Sequence, residues 1–219
     1  MRTRLVAVGL AAVLTLGVVA TAVAIAPSGI HGAHATKPDK VAFHDAMRKL
    51  WEDHVTWTRL FIVSAATLPE NLPDTGPTAG RLLANQDDIG DALRPFYGDE
   101  VGDAVTALLR EHILIAADII AAAKAGDADG VANGQARWRA NADEIAAFLN
   151  AANPRSWKLD EMKEMLYEHL SVTTTEVVFR LTGDWDADVA AYDQIHVQAL
   201  EMADELSTGI VKQFRHRFR

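Results

Sequence analysis

The stretch that decides the fold is LLREHILIA at 108–116, an apolar helix face that carries one histidine. Leu108, Ile115 and Ala116 lie four residues before, three after and four after His112. Residues at these offsets share one face of an α-helix, so the pattern predicts a helix with His112 on its buried side.

The same pattern occurs twice more, as LWEDHVTWT at 50–58 and MLYEHLSVT at 165–173. Its shared form is apolar-x-x-acid-His-apolar-x-x-small, and the three histidines are separated by 58 and 57 residues. A similarity that recurs at a fixed period indicates an internal repeat. We therefore expect three related helices, each with its histidine turned inward.

A second set of stretches follows each histidine helix: NQDDI at 85–89, NADEI at 141–145 and DQIHV at 193–197. They share the form Asn/Asp-x-x-acid/His-apolar, which we interpret as the returning helix of each repeat. Proline and glycine separate the segments, and the composition favours helix throughout. We predict six helices, at 38–68, 78–94, 100–124, 129–150, 159–182 and 185–214.

These observations predict an all-α fold, a six-helix up-down bundle made of three repeated αα-hairpins. Residues 1–35 are set apart, because Arg2 and Arg4 precede an apolar run that ends near Pro27, and a small-x-small site ends at Ala35. We interpret 1–35 as a signal peptide, with an uncleaved membrane anchor as the alternative. Residues 36–219 then form a single helical domain that is secreted or held in the cell envelope.

Composition limits the partners and the chemistry. The chain has no cysteine and a net charge of −9, which removal of Arg2 and Arg4 lowers by two, to −11. An acidic chain argues against nucleic acid as a partner, and a membrane enters only if the N-terminal segment is retained. The lack of cysteine excludes thiolate catalysis and thiolate metal sites.

The histidines and acids could carry chemistry if they meet. Each of these residues lies about 15 to 25 Å along its helix from the end of the predicted hairpin. Helices joined by short loops pack antiparallel, so the residues should lie at similar levels along the bundle axis. The predicted inward layer consists of His54, Asp88, His112, Glu144, His169 and His196. Because buried imidazole and carboxylate are costly without a partner, the layer suggests a transition metal: Zn, Cu, Fe, Ni or Mn. Asn85, Asn141 and Asp193 would orient these ligands.

Three alternatives stay open for the same residues. The layer can be purely structural, each histidine bonded to a neighbour, in a bundle that only stabilises itself or binds a partner. It can line a pocket for a small organic ligand. It can also serve a metal-dependent oxidase or hydrolase. The ferritin-like two-metal pattern is not matched, because it needs two Glu-x-x-His pairs and this chain has one Asp-x-x-His, at 193–196.

The segments LWEDH at 50–54, LREHILIAAD at 109–118 and YDQIH at 192–196 carry a resemblance to a group of small exported bacterial helical proteins. The resemblance covers most of the chain after residue 35. Members of that group often carry the label glycosyltransferase, whereas this sequence shows no strand–helix alternation of a nucleotide-binding domain. The resemblance implies export and a helical fold, and it implies no activity. We therefore expect an exported binding protein, with a metal ion as its ligand.

Overall fold

The computed structural model describes residues 37–219, and within this range the protein is all-helical, which confirms the predicted fold class. The helices are α1 (Lys40–Ala65), α2 (Thr75–Tyr97), α3 (Asp99–Ala125), α4 (Ala128–Ala152), α5 (Leu159–Thr182) and α6 (Trp185–Gln213). A short 3-10 turn, Arg215–Arg217, follows α6. The predicted signal peptide or anchor at 1–35 lies outside the described residues. Between residues 37 and 219, no helix has both the length and the apolar character needed to cross a bilayer.

Local chemistry sets the helix ends. The side chains of Asp39, Asp127 and Asp184 accept hydrogen bonds from backbone N–H groups in the first turns of α1, α4 and α6. Such caps satisfy donors that have no partner inside the helix. Gly126 and Gly183 end α3 and α5 at φ values of 69° and 77°, a left-handed conformation in which a side chain is strained. An aspartate follows each of these glycines, so the Gly-Asp pairs at 126–127 and 183–184 end one helix and cap the next.

The predicted boundary at Pro95 is wrong, because α2 continues through it to Tyr97. A proline within the last turn removes only one helical hydrogen bond, which the remaining contacts can offset. At the other end, α2 begins at Thr75, so Pro77 lies in the first turn, where proline needs no N–H partner.

Each helix packs against the helix before it and the helix after it, and α6 packs against α1. The six helices thus form a closed ring of neighbouring contacts. The apolar core lies in two main parts, on opposite sides of the histidine positions. The larger part includes residues that precede the histidines of α1, α3 and α5: Met47, Trp51, Val105, Leu109, Met162 and Leu166. The smaller part includes residues that follow them: Phe61, Ile62, Ile113, Ile120 and Val177.

The closest approach of α2 to α3 gives a test of the packing. A Cβ on Gly90 would collide with the Thr106 hydroxyl and lie 2.8 Å from the Gly102 carbonyl oxygen, whereas a Cβ on Gly80 meets nothing within 4 Å. We expect Gly90→Ala to lower the free energy of unfolding by about 1–3 kcal/mol through overpacking. Gly80→Ala, on the same helix, should raise it by up to about 1 kcal/mol through helix propensity. Urea unfolding measures both, and equal effects would contradict this packing.

Candidate functional site

Three histidines lie together inside the protein. His54 on α1, His112 on α3 and His169 on α5 are 3%, 4% and 5% exposed. The ring centroids of His54 and His169 are 5.9 Å apart, and those of His112 and His169 are also 5.9 Å apart. We call these three residues the histidine layer. Its position between the two parts of the core confirms that each histidine belongs to the buried face of its helix.

Each imidazole is bonded through Nδ1 to a carboxamide on the next helix along the chain. His112 Nδ1 is 2.8 Å from Asn141 Oδ1, and His169 Nδ1 is 3.1 Å from Gln198 Oε1. Both oxygens can only accept, so both rings carry their proton on Nδ1 and leave a lone pair on Nε2. The sequence predicted Asn141 as an orienting residue, and its contact with His112 fits that role.

The carboxamides also reach back to the histidine helix. Asn85, Asn141 and Gln198 donate from their side-chain nitrogens to the carbonyl oxygens of Leu50, Leu108 and Met165, at 3.0, 3.1 and 3.0 Å. Each of these carbonyls lies four residues before its histidine. The contact with the carbonyl occurs in all three helix pairs, and in the second and third pairs one amide bridges the ring and the carbonyl of the facing helix. We call it the carboxamide bridge.

In the first helix pair, two residues share the bridge. Asn85 holds the Leu50 carbonyl, while Gln86 Nε2 lies 3.2 Å from His54 Nδ1. The same Gln86 nitrogen donates to Leu82 O at 2.8 Å and to Asn85 Oδ1 at 3.2 Å, which identifies it as the amide NH₂. An NH₂ group can only donate and has two hydrogens for these three acceptors, so one hydrogen is shared. His54 Nδ1 therefore carries no proton, and the proton of the neutral ring is on Nε2. The layer thus has one Nε2–H donor and two Nε2 lone pairs.

Burial keeps the three imidazoles neutral. It lowers the pKa of His54 to about 3, with further repulsion from His169 and His112. It lowers the pKa of His112 to about 3, with repulsion from His169, and it also lowers the pKa of His169. The side chains bonded to the rings are uncharged carboxamides, so no carboxylate favours a protonated ring.

The predicted six-residue layer is wrong for its other three members. Asp88 and Glu144 are exposed, and Asp88 pairs with Arg81 at 3.4 Å. His196 is half-buried and bonds Glu52 at 2.9 Å near the surface. A separation of three residues leaves a 60° rotation around the helix, enough to turn Asp88 and Glu144 away from the inward-facing Asn85 and Asn141.

The predicted orienting role of Asp193 is also wrong, because Asp193 is exposed and Gln198 takes the place in the third pair. Five residues separate them, which is a rotation of about 140°. The sequence did contain the correct register, since Asn141 and Gln198 both lie 29 residues after their histidines. An alignment by spacing from the histidine would have found Gln198.

No three side chains of histidine, cysteine, aspartate or glutamate within residues 37–219 are placed to hold a metal ion together. The predicted mixed layer of imidazole and carboxylate is therefore not assembled in this part of the chain. The two carboxylates predicted for the layer, those of Asp88 and Glu144, are exposed at the surface. The Nδ1 atoms of the three imidazoles already have hydrogen-bond partners.

An apolar cavity of about 90 Å³ lies on the C-terminal side of the histidines along α1, α3 and α5. Thr58, Ala116 and Thr173 line it, each four residues after a histidine. Trp138 lines it too, with its ring centroid 5.0 Å from that of His112. A smaller cavity of about 40 Å³, lined by Trp51 among apolar side chains, lies on the other side.

Six buried polar side-chain atoms have no hydrogen-bond partner within the described range, and three of them belong to residues that line the larger cavity: Thr58 Oγ1, Thr173 Oγ1 and Trp138 Nε1. A buried donor or acceptor without a partner costs about 1–3 kcal/mol. Such atoms gathered around one cavity are candidates for contacts with a bound molecule. This feature was not predicted from the sequence, where the threonines appear only as small residues in the repeat.

A second buried polar group also escaped the sequence analysis. Glu176 and Asp188 are each 1% exposed and bind Arg59, with the Arg59–Glu176 contact at 2.9 Å. Arg180 lies 3.5 Å from Asp188, so two arginines face two carboxylates. Burial raises the pKa of the Glu176 carboxyl against the opposing effect of Arg59. With its charges balanced, this group serves to join α1, α5 and α6.

Comparison of the sequence with protein-family models and with curated proteins, and of the fold with solved structures, finds no match. The site must therefore be interpreted from its own geometry.

The histidine layer predicts a specific loss of stability in acid. An unfolded histidine binds a proton near pH 6.5, whereas folded His54 and His112 bind one only near pH 3. The unfolded state therefore holds more protons between these values, and stability falls as the pH decreases through this window. Between pH 7 and 5 we expect a loss of roughly 2 kcal/mol for each of these two residues, measured by urea unfolding.

A paired variant isolates the contribution of one ring. His112→Leu combined with Asn141→Leu removes both the imidazole and its partner, so no polar atom of the pair stays unsatisfied. The difference in unfolding free energy between pH 7 and 5 should then shrink by about 2 kcal/mol. His216→Gln, an exposed substitution near the C-terminus, should leave the difference unchanged. An unaltered pH dependence in the paired variant would contradict a neutral, buried His112.

Proposed function

We propose that this chain is an exported binding protein that takes up a small, largely apolar molecule bearing a hydrogen-bonding group. The site is the cavity of about 90 Å³ beside the histidine layer. The observation that carries the proposal is that three residues of its lining, Thr58, Thr173 and Trp138, each have a buried polar atom without a partner. Export is proposed from the features of residues 1–35 and from the resemblance carried by the histidine stretches.

The chemistry of the wall defines the ligand class. Most of the lining is aliphatic or aromatic, including Phe61, Ile113 and Val177, which favours an apolar body. The two threonine hydroxyls can donate or accept, whereas the Trp138 indole can only donate. A hydroxyl or carbonyl oxygen on the ligand would satisfy Trp138 and one threonine together. A known apolar cavity of about 150 Å³ holds benzene, so this smaller cavity, which opens to the surface, fits a molecule of at most about the size of benzene.

The cavity reaches the surface between α4 and α5. Gln135 on α4 and Val178 on α5 line it and are exposed, whereas Trp138 is buried deeper along α4. A ligand that enters here passes Gln135 and Val178 before it reaches the threonine side chains. This order suits a molecule whose polar end leads and whose apolar end fills the mouth.

The threefold recurrence of the carboxamide bridge supports the repeat predicted from the sequence. We propose that α1–α2, α3–α4 and α5–α6 are copies of one αα-hairpin in an up-down bundle. Each pair has its histidine on the first helix, its carboxamide on the second and the accepting carbonyl four residues before the histidine. At the wall position four residues after each histidine, Ala116 in the second pair takes the place of Thr58 and Thr173.

Isobutanol and xenon provide a matched pair of probes, one with a hydroxyl and one without. We expect isobutanol to shift the Trp138 indole N–H resonance in a ¹H–¹⁵N spectrum and to raise the melting temperature. Thr173→Val keeps the side-chain shape and removes the hydroxyl, so isobutanol should bind about fivefold more weakly, the loss of one hydrogen bond. Xenon binding should be unaffected by this substitution.

Two further variants control this test. Thr106→Val removes another buried, unpartnered hydroxyl that does not line the cavity, and it should leave isobutanol binding unchanged. Ala116→Leu fills the cavity and should abolish the binding of both probes. If neither probe disturbs Trp138 in the wild-type protein, the cavity is not a binding site, and the layer serves only to stabilise a structural or partner-binding bundle.

A metal ion is the second candidate, because the bonds of His112 and His169 are those of metal-binding imidazoles. Both rings donate Nδ1–H to a carboxamide oxygen and keep an Nε2 lone pair, and such a bond orients and strengthens a ligating histidine. Zn, Cu, Fe, Ni or Mn could take these two nitrogens and complete its coordination from solvent. Open positions of that kind would also serve a metal-dependent hydrolase or oxidase.

Cobalt(II) titration of the tag-free protein tests this candidate through the visible absorption of bound cobalt. We expect His112→Gln to abolish the absorption and His196→Gln to preserve it, since His196 lies outside the layer. Absence of cobalt absorption in the wild-type protein, together with a melting temperature that chelation does not change, would eliminate the metal.

A further inference from the structure

A groove at one end of the protein combines three cationic side chains with no acidic one. It has a volume of about 650 Å³ and is lined by Asn153, Pro154, Arg155, Ser156, Lys212, Gln213 and Arg215. The first four belong to the connection between α4 and α5, Lys212 and Gln213 end α6, and Arg215 begins the 3-10 turn that follows. This groove is separate from the cavity beside the histidines, with which it shares no lining residue.

The connection that forms one wall is held rigidly against α6. The Asn153 side chain is buried and donates to the Gly209 carbonyl at 3.0 Å. The Trp157 ring, 1% exposed, packs against Gly209 so closely that a Cβ there would collide with it. Arg155 and Ser156 lie between these two anchors, so their backbone position is fixed before any ligand arrives.

The other wall is anchored as well. The Gln213 side chain donates to the Ala152 carbonyl at 3.0 Å and accepts from the Tyr97 hydroxyl at 2.6 Å. These bonds fix the end of α6 to the ends of α4 and α2. The groove therefore has two preorganised sides, which reduces the entropic cost of binding a ligand between them.

The charges in the groove are uncompensated. Within residues 37–219, Arg155, Lys212 and Arg215 form no ion pair, whereas Arg48, Arg59, Arg81, Arg94, Arg110 and Arg137 each pair with a carboxylate. The chain as a whole has a net charge of −9, so this end differs in sign from its surroundings. Three free cations around one concave surface attract an anion that carries several negative charges. A single carboxylate would neutralise only one of the three.

We propose that this groove binds a ligand carrying two or more phosphate groups. Guanidinium groups match phosphate oxygens in a two-pronged geometry, and Arg155 and Arg215 provide one from each wall. Lys212 adds a mobile positive charge, and Ser156 adds a hydroxyl donor. The volume lies within the range of sites for small ligands and cofactors. The phosphates belong either to a free small molecule or to a lipid headgroup at a membrane surface.

Inorganic pyrophosphate is the probe for the shared chemistry, titrated into the full-length protein at low salt. We expect shifts of the Arg155 and Ser156 backbone amide resonances and a measurable heat of binding. Arg155→Gln combined with Arg215→Gln should weaken binding at least about tenfold, through the loss of two charge-assisted contacts. Arg137→Gln removes one charge from α4 far from the groove and should change the affinity by less than about twofold.

Vesicles distinguish the two sources of phosphate. Co-sedimentation with vesicles that contain cardiolipin, whose headgroup carries two phosphates, but not with phosphatidylcholine vesicles, identifies a headgroup if the double variant loses it. Pyrophosphate binding without such co-sedimentation identifies a free ligand. Thermal unfolding verifies that the variants are folded. The proposal fails if the wild-type protein binds neither probe, or if the double variant binds pyrophosphate as tightly as the wild type.

Discussion

The rest of the structure depends on the burial of three imidazoles and on the carboxamides that make this burial tolerable. An unpaired ring nitrogen inside the protein would cost about 1–3 kcal/mol, and a charged ring far more. Asn141 and Gln198 each solve this problem with one side chain, by accepting from the ring and donating to the backbone of the same helix. Both bonds form only if the carboxamide lies level with the histidine and faces it. The bridge therefore also fixes the position and rotation of each returning helix against its partner helix.

The histidine layer has a consequence for the core, which it divides into two main apolar parts. Side chains one turn beyond the layer are small, Thr58, Ala116 and Thr173, and they leave space next to the rings. A protein selected for stability alone would fill this space with a larger apolar residue and avoid the unpartnered hydroxyls. The conflict between local stability and the observed residues is what makes the cavity a candidate for function.

The charged side chains fall into two groups, those paired within the fold and those left unpaired in the groove. The half-buried arginines Arg59 and Arg180 face the buried carboxylates of Glu176 and Asp188, and removal of Asp188 would leave Arg180 without an acidic partner. Most surface arginines are likewise paired with acids. The groove between the α4–α5 connection and the end of α6 departs from this rule, since Arg155 and Arg215 have rigid supports and no counter-charge. Balanced charges stabilise the fold, and the unbalanced ones remain for a ligand.

The sequence by itself determined the helices, most of their ends and the inward direction of His54, His112 and His169, because these follow from local periodicity and from glycine and aspartate at the turns. It also indicated Asn85 and Asn141 as their companions. Only the tertiary structure decided that Asp88, Glu144 and His196 lie outside, that Gln198 replaces Asp193, and that Thr58, Thr173 and Trp138 surround a cavity. A rotation of 60° on a returning helix hardly alters the apolar pattern. It does decide which polar atom faces a ring, and that depends on contacts between helices distant in sequence.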